Sequence, residues 1–426
     1  MKETSKLACQ CPVGSNYFIV TAACALIFGV LARPVAAQYD PPRDVPRDAP
    51  TDTAGVPFED ARRVTLGVSV SYDSNFFRDP GLVRDPESET ITTGYVGLLI
   101  DKPYAQQRFY LNATATAYRY NKNSDLDFNG VDYRAAWYWH LTPRINGTLS
   151  AARTETPTQF QDTLSRQSDV TITENYIFDL NARVIGGWHI LLGISRLNRK
   201  SEEASLQGQP DFREISGETG IRYSFKSGSS IDALWRRIDG EQDSQLINNV
   251  IVISTENYQE DQSELRASWI LSPASSLTAR VTYLDRQYDQ IPQNDFSGTE
   301  GELGSTWAPT SKLNVRLTGA RNIEPWQSLA STYRVSNALT FALTWQATAK
   351  TSVNMNYQRT IDDYPAPSAL VVDREDTSDI VALGLNWLPL RSLSIGASVL
   401  YQQRSSNNPL FEYDATIGRI SASLIF

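Results

Sequence analysis

The sequence predicts an all-β chain, a transmembrane antiparallel up-and-down β-barrel of about 18 strands (16–20) following a cleaved signal peptide. Three observations predict it. From Arg62 onward apolar residues alternate with polar ones at a period of two, and no segment keeps a helical period. Short and long connections take turns between the alternating runs. Tryptophans collect beside the short connections.

Residues 1–37 read as a secretory signal. Lys2 and Lys6 give a basic start, and Tyr17 to Ala32 is an apolar core too short and too early for a convincing membrane span. Val35-Ala36-Ala37 supplies the small residues a signal peptidase needs, which places the cut before Gln38. A lipoprotein signal on Cys24 is the rival, but Thr21-Ala22-Ala23 lacks the usual apolar lead residue. An uncleaved anchor is a second rival.

All three cysteines, Cys9, Cys11 and Cys24, fall inside this signal. The exported chain therefore has no disulfide framework, no thiolate metal site and no cysteine nucleophile. Losing Lys2, Lys6, Arg33 and Glu3 takes the formal net charge from −9 to −11. An acidic exported chain lacks the Lys/Arg excess that a phosphate backbone demands, so nucleic acid is not an expected partner.

Residues 38–61 (QYDPPRDVPRDAPTDTAGVPFEDA) are rich in Pro and Asp, have no apolar period and read as a disordered periplasmic lead-in. The barrel spans 62–426. Val64, Leu66, Val68, Val70 and Tyr72 alternate with small polar residues, and Leu339, Phe341, Leu343 and Trp345 do the same. The short connections run from Asp101–Gln107 to Pro389–Ser392, and the long ones from Asp73–Glu89 to Ser405–Leu410. Eight short and nine long connections join eighteen strands of about 10 to 14 residues, enough to cross a bilayer at a tilt. Closure of Arg62–Tyr72 against the last strand removes the exposed edges. No outside loop stands out as long enough to fold inward as a constriction, which weighs against a sieving porin.

The last strand, Tyr413 to Phe426, puts Phe426, Leu424, Ala422 and Ile420 on one side and mostly polar residues on the other. A closing aromatic of this kind resembles the assembly signal of bacterial outer-membrane barrels. That resemblance gives Phe426 a role with the barrel-assembly machinery.

Trp139, Trp188, Trp269, Trp307, Trp345 and Trp387, six of nine tryptophans, lie beside short turns. Indole has an apolar body and a polar N–H, which suits the water–lipid boundary. These six are the expected girdle on the periplasmic rim, in contact with outer-membrane lipid. A soluble sandwich would scatter them through its core.

The opposite strand faces should line the lumen. By parity they carry Arg134, Arg183, Arg222, Arg236, Glu264, Arg266, Arg280, Glu300, Glu302, Arg316, Arg334 and Arg419, with Asn354, Asn356 and Asn386. Any one of these is more simply a solvated or paired residue in a wet interior. Together they imply a hydrated passage, and eighteen strands is wide enough for an aqueous channel. Mixed signs argue against strong ion selectivity, and polar groups beside Tyr138 would suit a sugar polymer.

Catalysis finds little support. His140 and His189 lie on different strands, and no serine is marked out by its context. Asp239, Glu241, Asp243, Asp362 and Asp363 could pair as acids for glycosidic cleavage, but acidic loops are usually just solvated. No metal-ligand spacing, phosphate loop or nucleotide fingerprint is present, so no cofactor is expected.

Several stretches carry a family resemblance. Tyr72-Asp73-Ser74-Asn75-Phe76-Phe77-Arg78 resembles the opening signature of β-barrel porins of the porin 2 type. Gln107-Arg108-Phe109, Tyr118-Arg119-Tyr120-Asn121, Trp235-Arg236-Arg237, Asp295-Phe296-Ser297-Gly298, Arg374-Glu375-Asp376 and Arg404-Ser405-Ser406-Asn407-Asn408-Pro409 resemble one branch of it. That branch is the exosortase-associated, exopolysaccharide-operon outer-membrane protein called EpsL. The resemblance implies passage of a secreted polysaccharide across the outer membrane, with periplasmic export proteins as partners. A general or small-solute porin is the alternative, and a barrel enzyme or surface-binding scaffold the third.

Overall fold

The computed structural model describes residues 60–82, 84–157, 160, 166, 170–201, 211–242, 246–247, 250–251, 256–290, 292–328, 331–365 and 373–426. The expected signal peptide, and the lead-in up to residue 59, lie outside the described residues. By contacts the chain divides into two units, residues 1–48 and 49–426, and the described residues all belong to the second.

The strands are β1 (Ala61–Asp73), β2 (Glu89–Tyr104), β3 (Gln107–Tyr120), β4 (Phe128–Thr142), β5 (Ile145–Pro157), β6 (Val170–Ile185) and β7 (Trp188–Ser201). They continue as β8 (Phe212–Ser224), β9 (Ser230–Gln242), β10 (Leu246–Ile247), β11 (Val250–Ile251), β12 (Glu256–Ser272), β13 (Ser275–Tyr288) and β14 (Phe296–Thr310). The last are β15 (Leu313–Ser328), β16 (Ser331–Thr348), β17 (Thr351–Tyr364), β18 (Arg374–Leu390), β19 (Leu393–Ser406) and β20 (Tyr413–Ile425). β10 and β11 pair only with each other; the remaining eighteen form one sheet in which each strand is antiparallel to its chain neighbour and β1 closes on β20. Wall strands are 13 to 18 residues long, longer than the alternation alone marks out.

Closure runs from Thr65 opposite Ile425 to Asp73 opposite Ile417. Phe426 extends it, donating its N–H to the Val64 carbonyl at 2.9 Å and accepting from Val64 N–H at 3.1 Å. The sheet thus has no free edge along this seam, which an apolar environment requires of strands.

The eight short connections sit where the sequence places them. Four begin with Ser or Thr whose hydroxyl accepts a backbone N–H two residues on: Thr142 from Arg144, Ser272 from Ala274, Thr310 from Lys312 and Thr348 from Lys350. Such side-chain turns reverse the chain without buried backbone donors. Two others use glycine in the left-handed region, Gly186 (φ 57°) and Gly228 (φ 86°). Register shifts fall beside six short turns, one of them between Trp307 and Thr310 and another between Trp387 and Leu390. These bulges add the local twist that brings each tight turn round.

The outward face carries the apolar alternation: Val281, Leu303 and Leu383 are all at least half exposed. Trp188, Trp269, Trp307, Trp345 and Trp387 stand outward beside the short turns, and Trp139 stacks on Phe178 across Gly147. Toward the other end the same outward face turns polar. Arg119 meets Asn129, Arg153 meets Glu174, Arg237 meets Asp261, Arg321 meets Asn337 and Arg359 meets Asp379. An apolar band between an indole girdle and a polar collar is the exterior of a transmembrane barrel.

At the collar end the wall does not stay simple. The β14–β15 ladder ends at Gly301 opposite Arg321, whereas β15 and β16 stay paired to Ser328 opposite Ser331, with a register shift after Pro325 opposite Tyr333. Beyond Arg321 β15 parts from β14 while β16 stays on β17 as far as Val335, and the hairpin leans inward. Ile323 and Val335 share the parity of outward residues, yet they pack with Tyr258, Leu284, Tyr288 and Phe296 from the inner faces of β12–β14. Gly298 makes room: a Cβ there would collide with the Ile323 side chain. The other face of the hairpin is buried too, with Trp326 edge-on to Tyr364 at 5.2 Å. The stretch 322–330, expected as a simple outside loop, is therefore mostly strand, and the expectation that no outside segment folds inward is wrong. Ile323 and Trp326 would be exposed on an outward-standing loop; folding inward removes their apolar surface from water.

Candidate functional site: the lumen and its mouth

The lumen wall is built from the inward parity of each strand, so its chemistry follows the alternation. Arg222, Arg236, Glu264, Arg266, Arg280, Glu300, Glu302, Arg316, Arg334, Arg419 and Arg134 all occupy inward positions. Arg183 has the same parity but lies at the short-turn rim, where its Nε donates to the Gly186 carbonyl at 2.8 Å.

Most of these charges spend themselves on one another along β8–β14. Arg222 grips Asp232 through two bonds of 2.7 Å. Arg236 donates to Glu218 at 2.6 Å and to Gln262 at 2.8 Å. Arg266 is bonded to Glu264, which also accepts from Thr282 at 3.2 Å, and Arg280 stands 3.4 Å from Glu302. Nearer the mouth Arg286 donates to Glu260 at 2.6 Å, with its guanidinium 4.1 Å from the Tyr258 ring centroid. A guanidinium shielded this way is locked to its partner and contributes little net charge to the bore.

Arg134, Arg316 and Arg419 differ. Among the described residues none of them has a carboxylate partner. Arg134 Nε is buried without a hydrogen-bond partner, and so are Asn354 Nδ2, Asn356 Oδ1 and Asn386 Nδ2. The β17–β18 wall therefore adds amide polarity to the inner face, and the three arginines add charge that no carboxylate partner neutralises among the described residues. Aromatic character is added where Arg108, paired with Asp101, lies over the Tyr138 ring at 5.4 Å.

The mouth is narrowed from two sides. On one side the hairpin is pinned by Arg334, which is bonded to Glu324 and lies 4.0 Å from Asp362. Glu300 accepts the Ile323 N–H at 3.0 Å. On the other, Phe76 and Phe77 meet Phe160 and the inward ring of Tyr120. Arg166 reaches Asp79 at 2.6 Å and Glu87 at 2.9 Å. Asp73, whose carboxylate accepts from Asn75 N–H at 3.0 Å and pairs with Arg78 at 2.9 Å, folds this segment back on itself.

Mouth-forming roles also explain stretches singled out by sequence alone. Asp295 accepts the Tyr288 N–H at 2.7 Å, Phe296 stacks on Tyr333, and Gly298 receives Ile323. Arg374, bonded to Asp376, lies over the rings of Phe411 at 3.5 Å and Tyr364 at 4.5 Å. Arg404 approaches the same Asp376 at 3.7 Å. Sequence reasoning placed Arg334 in the lumen but missed Glu324 and Trp326 beside it; the signal was an indole in an expected outside loop, away from every short turn.

His189 Nδ1 is 2.8 Å from Asn181 Oδ1, and Asp362 is covered by the hairpin.

These features define a bacterial outer-membrane β-barrel. No family model matches the chain. No curated protein matches it either. Among solved structures, OccK2 (OpdF) of Pseudomonas aeruginosa in complex with glucuronate is similar with a TM-score of 0.50 at 11% identity, over 87% of this chain and all of that one. OccK2 (OpdF) alone gives the same TM-score and identity over 99% of its length. The alcaligin receptor FauA of Bordetella pertussis gives 0.44 at 12% identity, over 87% of this chain and 77% of that one. At such identities the likeness is one of fold.

Proposed function

We propose that the protein is an outer-membrane channel for hydrophilic, carbohydrate-type solutes, with the β15–β16 hairpin controlling its mouth. The observation that carries this is a hairpin buried on both faces inside a wide polar bore. The wall offers amides, aromatic rings and a few uncommitted guanidinium groups, which suit hydroxyl-rich solutes of weak or negative charge.

Export of a secreted polysaccharide is the use we favour. It rests on the resemblance to EpsL, whose matching stretches here include residues that build the mouth. A polymer of this kind needs the hairpin to swing clear, which makes the channel gated. Periplasmic export proteins would deliver the polymer, and Phe426 would act in assembly. A small-solute porin is the second reading, favoured by a hairpin that packs on the inner faces of β12–β14 and narrows the mouth. The OccK2 structure with glucuronate illustrates such a solute in a barrel of similar fold.

Single-channel recording in planar bilayers tests both. The intact barrel should conduct weakly, and a variant lacking residues 323–334 should conduct several-fold more. Block of that variant by the organism's own polysaccharide, with no block by glucuronate, supports export. Block of the intact barrel by glucuronate supports the porin. Equal conductance with and without the hairpin sinks the gate.

A further inference from the structure

A groove of about 620 Å³ lies on the wall across β13–β17, in the size range of ligand sites of about 300–1,000 Å³. Its lining residues, including Val281, Leu303 and Leu339, are mainly of outward parity, so it opens to lipid rather than to the bore. Gly301 and Gly319 form its floor; a Cβ at Gly319 would meet nothing within 4 Å. Apolar walls with a missing floor side chain leave a channel that an acyl chain fills better than water.

Arg321, Asn337 and Arg359 close the groove at its mouth-side end. Arg321 stands eight residues along β15 from Leu313, which is opposite Trp345 of the girdle. That is about 26 Å along the strand, or about 20 Å along the membrane normal at a tilt of about 40°. The apolar band of such barrels is about 25 Å tall, so Arg321 lies near the outer boundary, at headgroup depth. Arg321 donates to Asn337 Oδ1 at 3.0 Å and has no carboxylate partner among the described residues. Arg359 is 3.4 Å from Asp379, a loose and half-exposed pair. Elsewhere on the collar Arg153 and Arg237 face carboxylates more closely, and Arg213 and Arg119 less so. The uncommitted charge at the end of the apolar groove is that of Arg321. Directly above it, β14 residues 296–300 have no ladder partner on β15.

We propose that this groove binds one acyl chain of a phosphorylated lipid of the outer leaflet, whose phosphate is held by Arg321 and Arg359. The bound lipid covers the wall where β14 and β15 part. Its headgroup supplies a fixed anchor below the inward-leaning hairpin. The site lies outside the bore and does not depend on what passes through it.

The test compares the wild-type barrel with Arg321→Gln/Arg359→Gln and with Gly319→Leu, each loaded with lipid A in detergent and then exchanged into lipid-free detergent. Folding is verified first by heat-modifiable migration, and native mass spectrometry reads the lipid retained. Wild type should keep one lipid A per barrel; both variants should keep about tenfold less, the loss expected for removed charge-assisted bonds. Dephosphorylated lipid A should be retained no better by wild type than by the arginine variant. Millimolar inorganic phosphate should displace little, because it brings no acyl chain. Equal retention by wild type and both folded variants overturns the proposal, as does tight retention of dephosphorylated lipid A.

Discussion

At the scale of single residues, the bore is organised by pairing rather than by charge. Asp232 is almost wholly buried and holds Arg222 in a two-bond fork. Taking one partner from a buried pair leaves the other charge uncompensated, which costs about 3–5 kcal/mol. Asp232→Ala should therefore lower stability by about 3 kcal/mol, the lower end because water reaches the bore. Urea unfolding in vesicles, followed by indole fluorescence, checks this; no shift in the midpoint would mean that solvent screens the pair. Alternation placed Arg222 on the inner wall, because side-chain direction in a strand is a local property, but Asp232 was not singled out. It could not say what Arg222 pairs with, since register between strands depends on turns and bulges elsewhere. The same limit hid which arginines stay uncommitted. Arg236 and Arg316 look alike in sequence, and only the neighbouring strand separates a neutralised guanidinium from an available one.

At the scale of elements, every strand is two-faced, and the outward face states the depth of the membrane. Leu383 on β18 is outward, opposite Met355 and Val399, midway between Trp387 of the girdle and the collar residue Asp379. Leu383→Arg should cost about 2–4 kcal/mol, and Leu385→Arg, two residues from Trp387, about 1 kcal/mol or less. Refolding yield and unfolding midpoint in lipid vesicles measure both; an unchanged midpoint for Leu383→Arg would put that residue outside the apolar band. Strand faces and short turns were legible because each is encoded within a few residues. The β15–β16 hairpin was not. Its two ends obey the wall's alternation, and its inward lean depends on a ladder that stops at Arg321, a missing side chain at Gly298 and rings on β12–β14. None of those is adjacent in sequence. An apolar load in a long loop is the one local trace such an arrangement leaves.

At the scale of the whole molecule, the two ends of the barrel are unlike. Short turns and indoles ring one end, while the other carries long segments of which at least two fold over the bore. The first and last wall strands meet at the short-turn side, where Phe426 and Val64 exchange backbone bonds. An obstruction confined to one end makes the molecule an asymmetric conductor. Most of an applied voltage falls across the narrow end, where Arg334, Glu324 and Asp362 are packed against one another. Reversing the polarity reverses the pull on those charges without moving the obstruction to the opposite end. Currents of opposite sign through one oriented barrel should therefore differ at equal voltage, and the difference should vanish when residues 323–334 are removed. The protein would then behave as a rectifier, and its direction of easier flow could be read from a current–voltage curve before any solute is known.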